Sequence, residues 1–476
     1  MPNYRIHKRK RKKEIILLSP ILLLALILTF YPHLNYPYPL HVDEWFHITQ
    51  AKQISLNKKI DWYSRKEFKL GLERGWHLFL ALIQKTFNLN AKQWICLPSI
   101  FHLLAIFSTY LFVLNFFGKK QALISAFLIA LIPSNVTIGG PVFLVPVNLS
   151  LIFIPLALLF AFGLLKIKRI YNYLALFSIL TFILYAHPPT AIVLLIILGI
   201  YFLLNSFSKD KEARERLKFL FLTTFLSVLV SIPNYLPEIQ KKGLEAIKFD
   251  FWIYLKEIPS VYGTIPTIFF VLGFYFLSHF KNKEVWSLLL SSIFLILIIV
   301  LFARFGLNFL IPYQRTYIPL FLLMSIIASF GYSKLLEIKK PFKNFGLFLL
   351  FICLTLTAYF AIKRDLKTPY YHLINDKDYE NFLWIKENSE PNAIVLLDPW
   401  KARAFPAIAE RKVYAVMPFG PNKEYLKLVE NAYRFFAQKC TNTTFLIENN
   451  ISIIYSPVKC QNDDLIEVKE NIYILK

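Results

Sequence analysis

Apolar residues fill long stretches of this chain and leave the polar ones in the gaps between them. Residues 15–31, 94–117, 147–165, 217–236, 285–303 and 344–362 each run close to the roughly 20 apolar positions that cross a hydrocarbon core. The stretches 120–133, 170–186, 190–207, 263–280 and 316–332 read the same way. A backbone in lipid has to satisfy its own hydrogen bonds, so these stretches are predicted as helices. After about residue 366 the pattern changes. Polar residues rise, and the periodicity predicts helices over 378–388, 401–410 and 423–438 and strands over 393–397, 412–416, 451–455 and 465–475. About 110 residues are enough to bury a core of their own. The expected fold class is a polytopic α-helical membrane protein with about eleven transmembrane helices over 1–365, followed by a small α/β domain over 366–476.

Composition agrees with lipid as the main solvent: 56% of the 476 residues are hydrophobic, 17% aromatic and only 18% charged, and the mean hydropathy is +0.48. The net charge of +24 raises the question of nucleic acid. The basic residues answer it, because they do not cluster on one face with interleaved aromatics but sit between apolar runs. Seven fall between Arg5 and Lys13, and others recur at 119–120, 166–169, 209–218, 281–283 and 334–343. Placing all of these inside gives an alternation without conflict over about eleven spans, the positive-inside pattern. The charge therefore reads as topology: a multi-pass protein of the cell membrane with a cytoplasmic N-terminus and an extracytoplasmic C-terminal domain. No small-residue cleavage site follows the first run at Tyr31-Pro32-His33, so that run reads as an uncleaved anchor.

A long outer loop, 32–93, separates the first two spans. It opens with Tyr36-Pro37-Tyr38-Pro39, continues through His41-Val42-Asp43-Glu44-Trp45-Phe46-His47 into a short helix predicted over 48–54, and contains a 12-residue apolar stretch at 76–87. That stretch is too short to span and suits an interfacial or re-entrant helix. Asp43 and Glu44 are adjacent carboxylates a few residues beyond a span, a position suited to general-base work or to holding a divalent cation through oxygen ligands. The competing reading is that they are solvated or pair with Lys52 or Lys58. Asp61, Glu67 and Glu73 read as solvated loop charges.

In the order of these features the chain resembles the membrane-embedded glycosyltransferases of the C superfamily (GT-C), which include the protein mannosyltransferases, the aminoarabinose transferases of lipid A and the oligosaccharyltransferase catalytic subunits. The resemblance covers nearly the whole chain as architecture, and in motif terms it rests on Val42-Asp43-Glu44-Trp45 and Ala51-Lys52. It implies transfer of a sugar, a hexose or a pentose, from a polyprenyl-phosphate-linked donor to a protein or glycolipid acceptor on the outer face, commonly with inversion. Asp43 would take the acceptor proton, and Glu44 would orient the acceptor or help hold a metal. The cofactor stays open, with a divalent cation, Mg or Mn, as the candidate. The rival readings are a transporter or flippase of lipid-linked saccharides and an oligosaccharyltransferase-like enzyme.

A departing lipid phosphate needs a fixed cation nearby. Arg304, in Ala303-Arg304-Phe305, and Arg315, in Tyr313-Gln314-Arg315-Thr316, fall at the expected outer ends of two spans and run against the positive-inside bias. Either can instead snorkel to lipid headgroups. His187, in Ala186-His187-Pro188-Pro189, and His47 are candidates for substrate or metal, with a structural role as the alternative; the same holds for His41 and Asn148. Oligosaccharyltransferases carry a second acidic motif in the second outer loop, where this chain has Ser134-Asn135-Val136-Thr137-Ile138-Gly139-Gly140-Pro141 and no carboxylate. That departure favours a monosaccharide transferase. Cys96 and Cys353 lie in spans, whereas Cys440 and Cys460 share the outer domain, where a disulfide between them is permitted. No Cys/His spacing suggests zinc, and no phosphate-binding glycine loop or nucleotide fold is present.

Overall fold

The computed structural model describes residues 17–136, 138–166, 170–207, 210–239, 258–307, 311–337, 342–365, 370–418 and 422–476. The basic cluster at residues 5–13 and the expected domain boundary at 365/366 lie outside them, in whole or in part. The chain forms two compact units. One comprises Met1–Asn35, Leu72–Trp76 and Cys96–Leu366, and the other Tyr36–Gly71, His77–Ile95 and Lys367–Lys476.

The first unit is helical. A helix stands at each of the eleven predicted stretches: Leu17–His33, Cys96–Phe117, Lys119–Ala130, Leu149–Lys166, Ile170–Ala186, Pro188–Ser206, Lys211–Ile239, Thr264–Ser278, Lys283–Phe305, Tyr317–Leu335 and Phe342–Asp365. Among the described residues, six helices are long and apolar enough to cross a membrane, and several shorter apolar ones accompany them. The helix ends follow from local chemistry. Asn282 accepts the N–H groups of Glu284 and Val285 at the start of Lys283–Phe305, and Gly306, at φ 67°, closes its end. Tyr317–Leu335 is buried on nearly every side, which explains why its sequence is apolar all round. Its Gly331 faces Gly273 of Thr264–Ser278. A Cβ at Gly331 would stand 2.4 Å from the Phe269 carbonyl oxygen, so the two helices pack backbone to backbone only because these positions are glycine.

The second unit holds a five-stranded mixed sheet in the order β2-β1-β3-β5-β4, with β1 at Ile394–Leu396, β2 at Lys412–Val413, β3 at Ile451–Tyr455, β4 at Leu465–Lys469 and β5 at Ile472–Leu475. β1 pairs in parallel with β2 and β3, and β5 pairs antiparallel with β3 and β4. Helices Asp376–Glu387, Lys423–Ala437 and Thr443–Glu448 complete it. Val429, Ala432 and Phe435 of the second of these helices pack with Leu396, Ile451, Ile454 and Tyr473 into a buried core. Cys440 and Cys460 are disulfide-bonded with Cα atoms 5.1 Å apart.

Several local expectations are corrected. The helix predicted over 48–54 runs from Val42 to Ser55, because the His41 side chain caps it from before the acidic pair. The helix predicted over 401–410 is a 3-10 turn, Lys401–Arg403, and a separate short helix, Phe405–Ala409, ended by Glu410 at φ 55°. The strand predicted over 412–416 is only two residues long. The stretch 465–475 turns back at Asn471, at φ 68°, into a hairpin. Helix Thr443–Glu448, capped by Asn442, leaves no helical period in the sequence because six residues are too few to show one.

Candidate functional site

In the second unit the acidic pair is fixed from both sides. The backbone around it pairs with the segment after residue 369: Val42 N–H donates to the Tyr370 carbonyl at 3.1 Å and His372 N–H to the Leu40 carbonyl at 3.2 Å. A capping box then starts the helix. His41 Nδ1 accepts Asp43 N–H at 3.1 Å, and Glu44 Oε2 accepts His41 N–H at 2.8 Å. A ring nitrogen that accepts an N–H carries no proton of its own, so the 3.7 Å approach of Asp43 Oδ2 to His41 Nδ1 is not an ion pair. Glu44 is buried and Asp43 half-buried. The Lys52 alternative fails on geometry: its Nζ lies 3.8 Å from Glu410.

Arg403 is a cation near Asp43. It is buried, its Nη2 donates to the Met417 carbonyl, and its guanidinium carbon lies 5.9 Å from the Tyr63 ring centre. Tyr63 donates its hydroxyl to the Arg403 carbonyl at 2.6 Å. Burial lowers the Arg403 guanidinium to about 10, while Tyr63 and Asp43 work in the opposite direction, so it stays charged at neutral pH. Sequence reasoning missed Arg403, since an arginine 360 positions from Asp43 gives no local signal.

The same unit brings His47 and His77 together, ring nitrogen to ring nitrogen at 3.0 Å. Burial pushes His77 down to about 4, and its other ring nitrogen is buried with no partner among the described residues. Two buried imidazoles, each offering a ring nitrogen, form a donor set for a borderline cation such as zinc.

In the helical unit, Glu73, His187 and Arg315 form a second group. A Cβ at Gly75 would meet the Tyr185 backbone at 2.8 Å, so the glycine lets the segment Leu72–Trp76 seat against the end of helix Ile170–Ala186. Arg74 donates to the Asn234 carbonyl at 3.3 Å, and the Asn234 amide donates to the Leu72 carbonyl at 3.2 Å, which anchors the segment. Glu73 Oε1 then lies 3.9 Å from His187 Nε2. His187 caps helix Pro188–Ser206, its Nδ1 accepting Thr190 N–H and meeting the Thr190 hydroxyl at 2.7 Å. Burial first, and Arg315 second, hold His187 well below the usual histidine range. The ring is therefore neutral, and the Glu73 contact is not an ion pair. Arg315 is half-buried in the turn Tyr313–Thr316, which begins after Pro312.

Glu73 thus departs from a solvated loop charge, whereas Glu67 is exposed beside Lys69 and Asp61 holds a turn by accepting from Tyr63 N–H and Ser64. The available signal was a Glu-Arg-Gly run opening an apolar stretch. Arg304 is exposed in the last turn of its helix, where a cation suits the helix dipole. Asn148 is structural, donating to the Gly140 and Phe143 carbonyls at 2.7 Å.

No family model and no curated protein sequence matches the chain. Solved structures are. The Archaeoglobus fulgidus oligosaccharyltransferase in the apo form superposes with a TM-score of 0.64 at 13% identity, over 93% of this chain and 69% of that one. ArnT from Cupriavidus metallidurans bound to undecaprenyl phosphate gives 0.59 at 10% identity over 97% of both chains. The arabinofuranosyltransferase AftD from Mycobacteria gives 0.62 at 13% identity over 95% of this chain and 37% of that one. The archaeal enzyme has also been solved with dolichol-phosphate and an inhibitory peptide, and with Zn and sulfate. This chain has the fold of these GT-C glycosyltransferases, and it is a membrane protein.

Proposed function

We propose that this protein is a membrane glycosyltransferase that moves a sugar from a polyprenyl-phosphate-linked donor to an acceptor hydroxyl or amide on the outer face of the membrane. The observation that carries the reading is the fold shared over nearly the whole chain with three transferases, one of them bound to undecaprenyl phosphate. The half-buried Asp43 takes the acceptor proton as the acceptor atom attacks the anomeric carbon. The bond from that carbon to the phosphate oxygen breaks with inversion, and the electron pair leaves on the phosphate. Arg315 stabilises that charge, with Arg304 as the more exposed alternative. His187, kept neutral by burial and by Arg315, adds no competing positive charge there, and Glu73 approaches its Nε2 at 3.9 Å. Glu44 keeps its place by fixing the helix start and, through it, the direction of Asp43.

Where the reaction uses a divalent cation, His47 and His77 are the residues to hold it, and imidazole ligands favour zinc over Mg or Mn. Such an ion supplies Lewis-acid polarisation. The acceptor is a protein or a glycolipid, and the carboxylate-free second outer loop supports a monosaccharide donor. The N-terminus is cytoplasmic and the C-terminal domain extracytoplasmic, a reading supported by the basic gaps between the apolar stretches.

The test is a transfer assay with purified protein in lipid, using undecaprenyl- and dolichyl-phosphate sugars, with and without a chelator. Transfer that falls on the order of 10²–10⁴-fold in Asp43→Asn, with donor binding intact, supports the reading. Undiminished transfer in Asp43→Asn removes the assigned base. Flipping of the lipid-linked sugar without bond cleavage would establish the transporter reading instead.

A further inference from the structure

A cleft of about 360 Å³ opens in the second unit between the start of helix Lys423–Ala437, the end of helix Thr443–Glu448 and the turn at residues 64–66. Its floor is Ile394 of β1 and Leu428, both packed on the buried core of the sheet. One wall is the half-buried ring of Tyr425, and the rim carries Arg65, Glu448, Asn449 and Asn450. Volume at the lower end of the ligand-site range suits about one or two sugar rings.

The charges at the cleft cancel. Lys66 is tied to Glu424 at 2.8 Å, and the two other charged lining residues, Arg65 and Glu448, carry opposite signs. Carboxylates at the rim disfavour phosphate, and the absence of a net field disfavours any polyion. A peptide added as an extra strand needs an open sheet edge, but β1, which lines the cleft, is flanked on both sides by β2 and β3. What fits is a neutral ligand that offers hydroxyls in pairs along its edge and C–H groups on its face. The forked polar groups of Arg65, Glu448, Asn449 and Asn450 match paired hydroxyls, each of which donates and accepts. Ile394, Leu428 and the Tyr425 ring match the C–H face.

Backbone conformation sets this rim in advance. Arg65 and Asn450 both hold left-handed conformations, at φ 60° and 53°, which non-glycine residues adopt at a cost. The Arg65 guanidinium is further fixed 5.1 Å above the Tyr414 ring.

We propose that this cleft binds a neutral saccharide and anchors the glycan part of the acceptor at a distance from the hydroxyl that reacts. The anchoring role rests on the glycosyltransferase reading; the binding does not. The full-length protein in lipid nanodiscs is tested by saturation-transfer NMR against methyl glycosides of mannose, glucose, galactose and N-acetylglucosamine and their disaccharides. Inorganic phosphate and trialanine serve as competitors. At least one glycoside is expected to give a signal that falls about fivefold or more in Tyr425→Ala and in Asn450→Gly. The second variant keeps the left-handed backbone and removes only the amide, so it guards against misfolding. The signal is expected to persist in Asp43→Asn. The proposal is overturned by no glycoside signal in the wild type, by signals equal in wild type and both variants, by displacement with phosphate or trialanine, or by loss of signal in Asp43→Asn. Sugar transfer that survives without glycoside binding overturns the anchor alone and leaves the transferase reading standing.

Discussion

The Glu44 carboxylate accepts the backbone N–H of His41 at 2.8 Å, while Asp43, one residue earlier, donates its own N–H to the His41 ring at 3.1 Å. Two adjacent acids are thereby given different work. Glu44 is turned back to close the helix start, and Asp43 keeps a half-exposed carboxylate. Glu44→Ala should therefore lower stability by about 1 kcal/mol, the usual worth of a cap. Asp43→Asn should leave stability close to wild type and remove transfer. Thermal melts of both variants beside the transfer assay check this, and a melt in which Asp43→Asn loses more than Glu44→Ala goes against it.

Arg315 is expected to act on the donor in both the bound and the reacting state, because the phosphate is charged in each and more so as it leaves. Arg315→Ala should weaken donor binding and cut turnover by about 10²–10³-fold. Arg315→Lys should recover only part of it, since a point charge replaces a planar fork. Arg304→Ala should change either quantity by far less. Equal losses at the two arginines would reassign the donor site.

Gly75 sets how closely the segment carrying Glu73 approaches the end of helix Ile170–Ala186, and the atoms a Cβ there would strike are the Tyr185 carbonyl carbon and Cβ and the Ala186 nitrogen, which cannot swing aside. Gly75→Ala is expected to cost about 1–3 kcal/mol and to lower activity as Glu73 is moved away from His187. Activity and melting temperature measured on the same preparation decide it; wild-type values for both would show that the segment adjusts without cost.

Acid should destabilise the protein partly through His77. Its folded pKa is about 4, against about 6.5 for an unfolded histidine. Between these values the unfolded chain binds the extra proton and the folded chain does not. Stability is thus undiminished above pH 6.5 and falls as the pH drops toward 4, by up to ~3 kcal/mol. His77→Gln should flatten that slope in denaturation curves taken from pH 7 to 4. A slope that matches wild type would place the acid sensitivity elsewhere.

Reducing the Cys440–Cys460 bond, which closes a loop with a sequence separation of 20, should cost about 3 kcal/mol by freeing the unfolded chain. Denaturant unfolding with and without reductant gives the number. The Cys440→Ala/Cys460→Ala double variant should match the reduced protein and be insensitive to reductant.

The sequence alone determined the features that depend on near neighbours or on long runs. Eleven apolar stretches are each long enough to display their character, and a helix stands at each. The change of pattern after residue 366 marked an α/β fold because strands and amphipathic helices repeat over five to fifteen positions. Asp43 and Glu44 stood out because they are polar within an apolar context. Only the tertiary structure decided the rest. That His47 meets His77, that Arg403 lies near Asp43, and that Glu73 faces His187 with Arg315 close by depends on chain segments separated by 30 to 360 residues. No local period encodes those meetings. They are fixed by which surfaces bury together, and at Gly75 by a single absent Cβ, whose effect exists only once the facing backbone is in place.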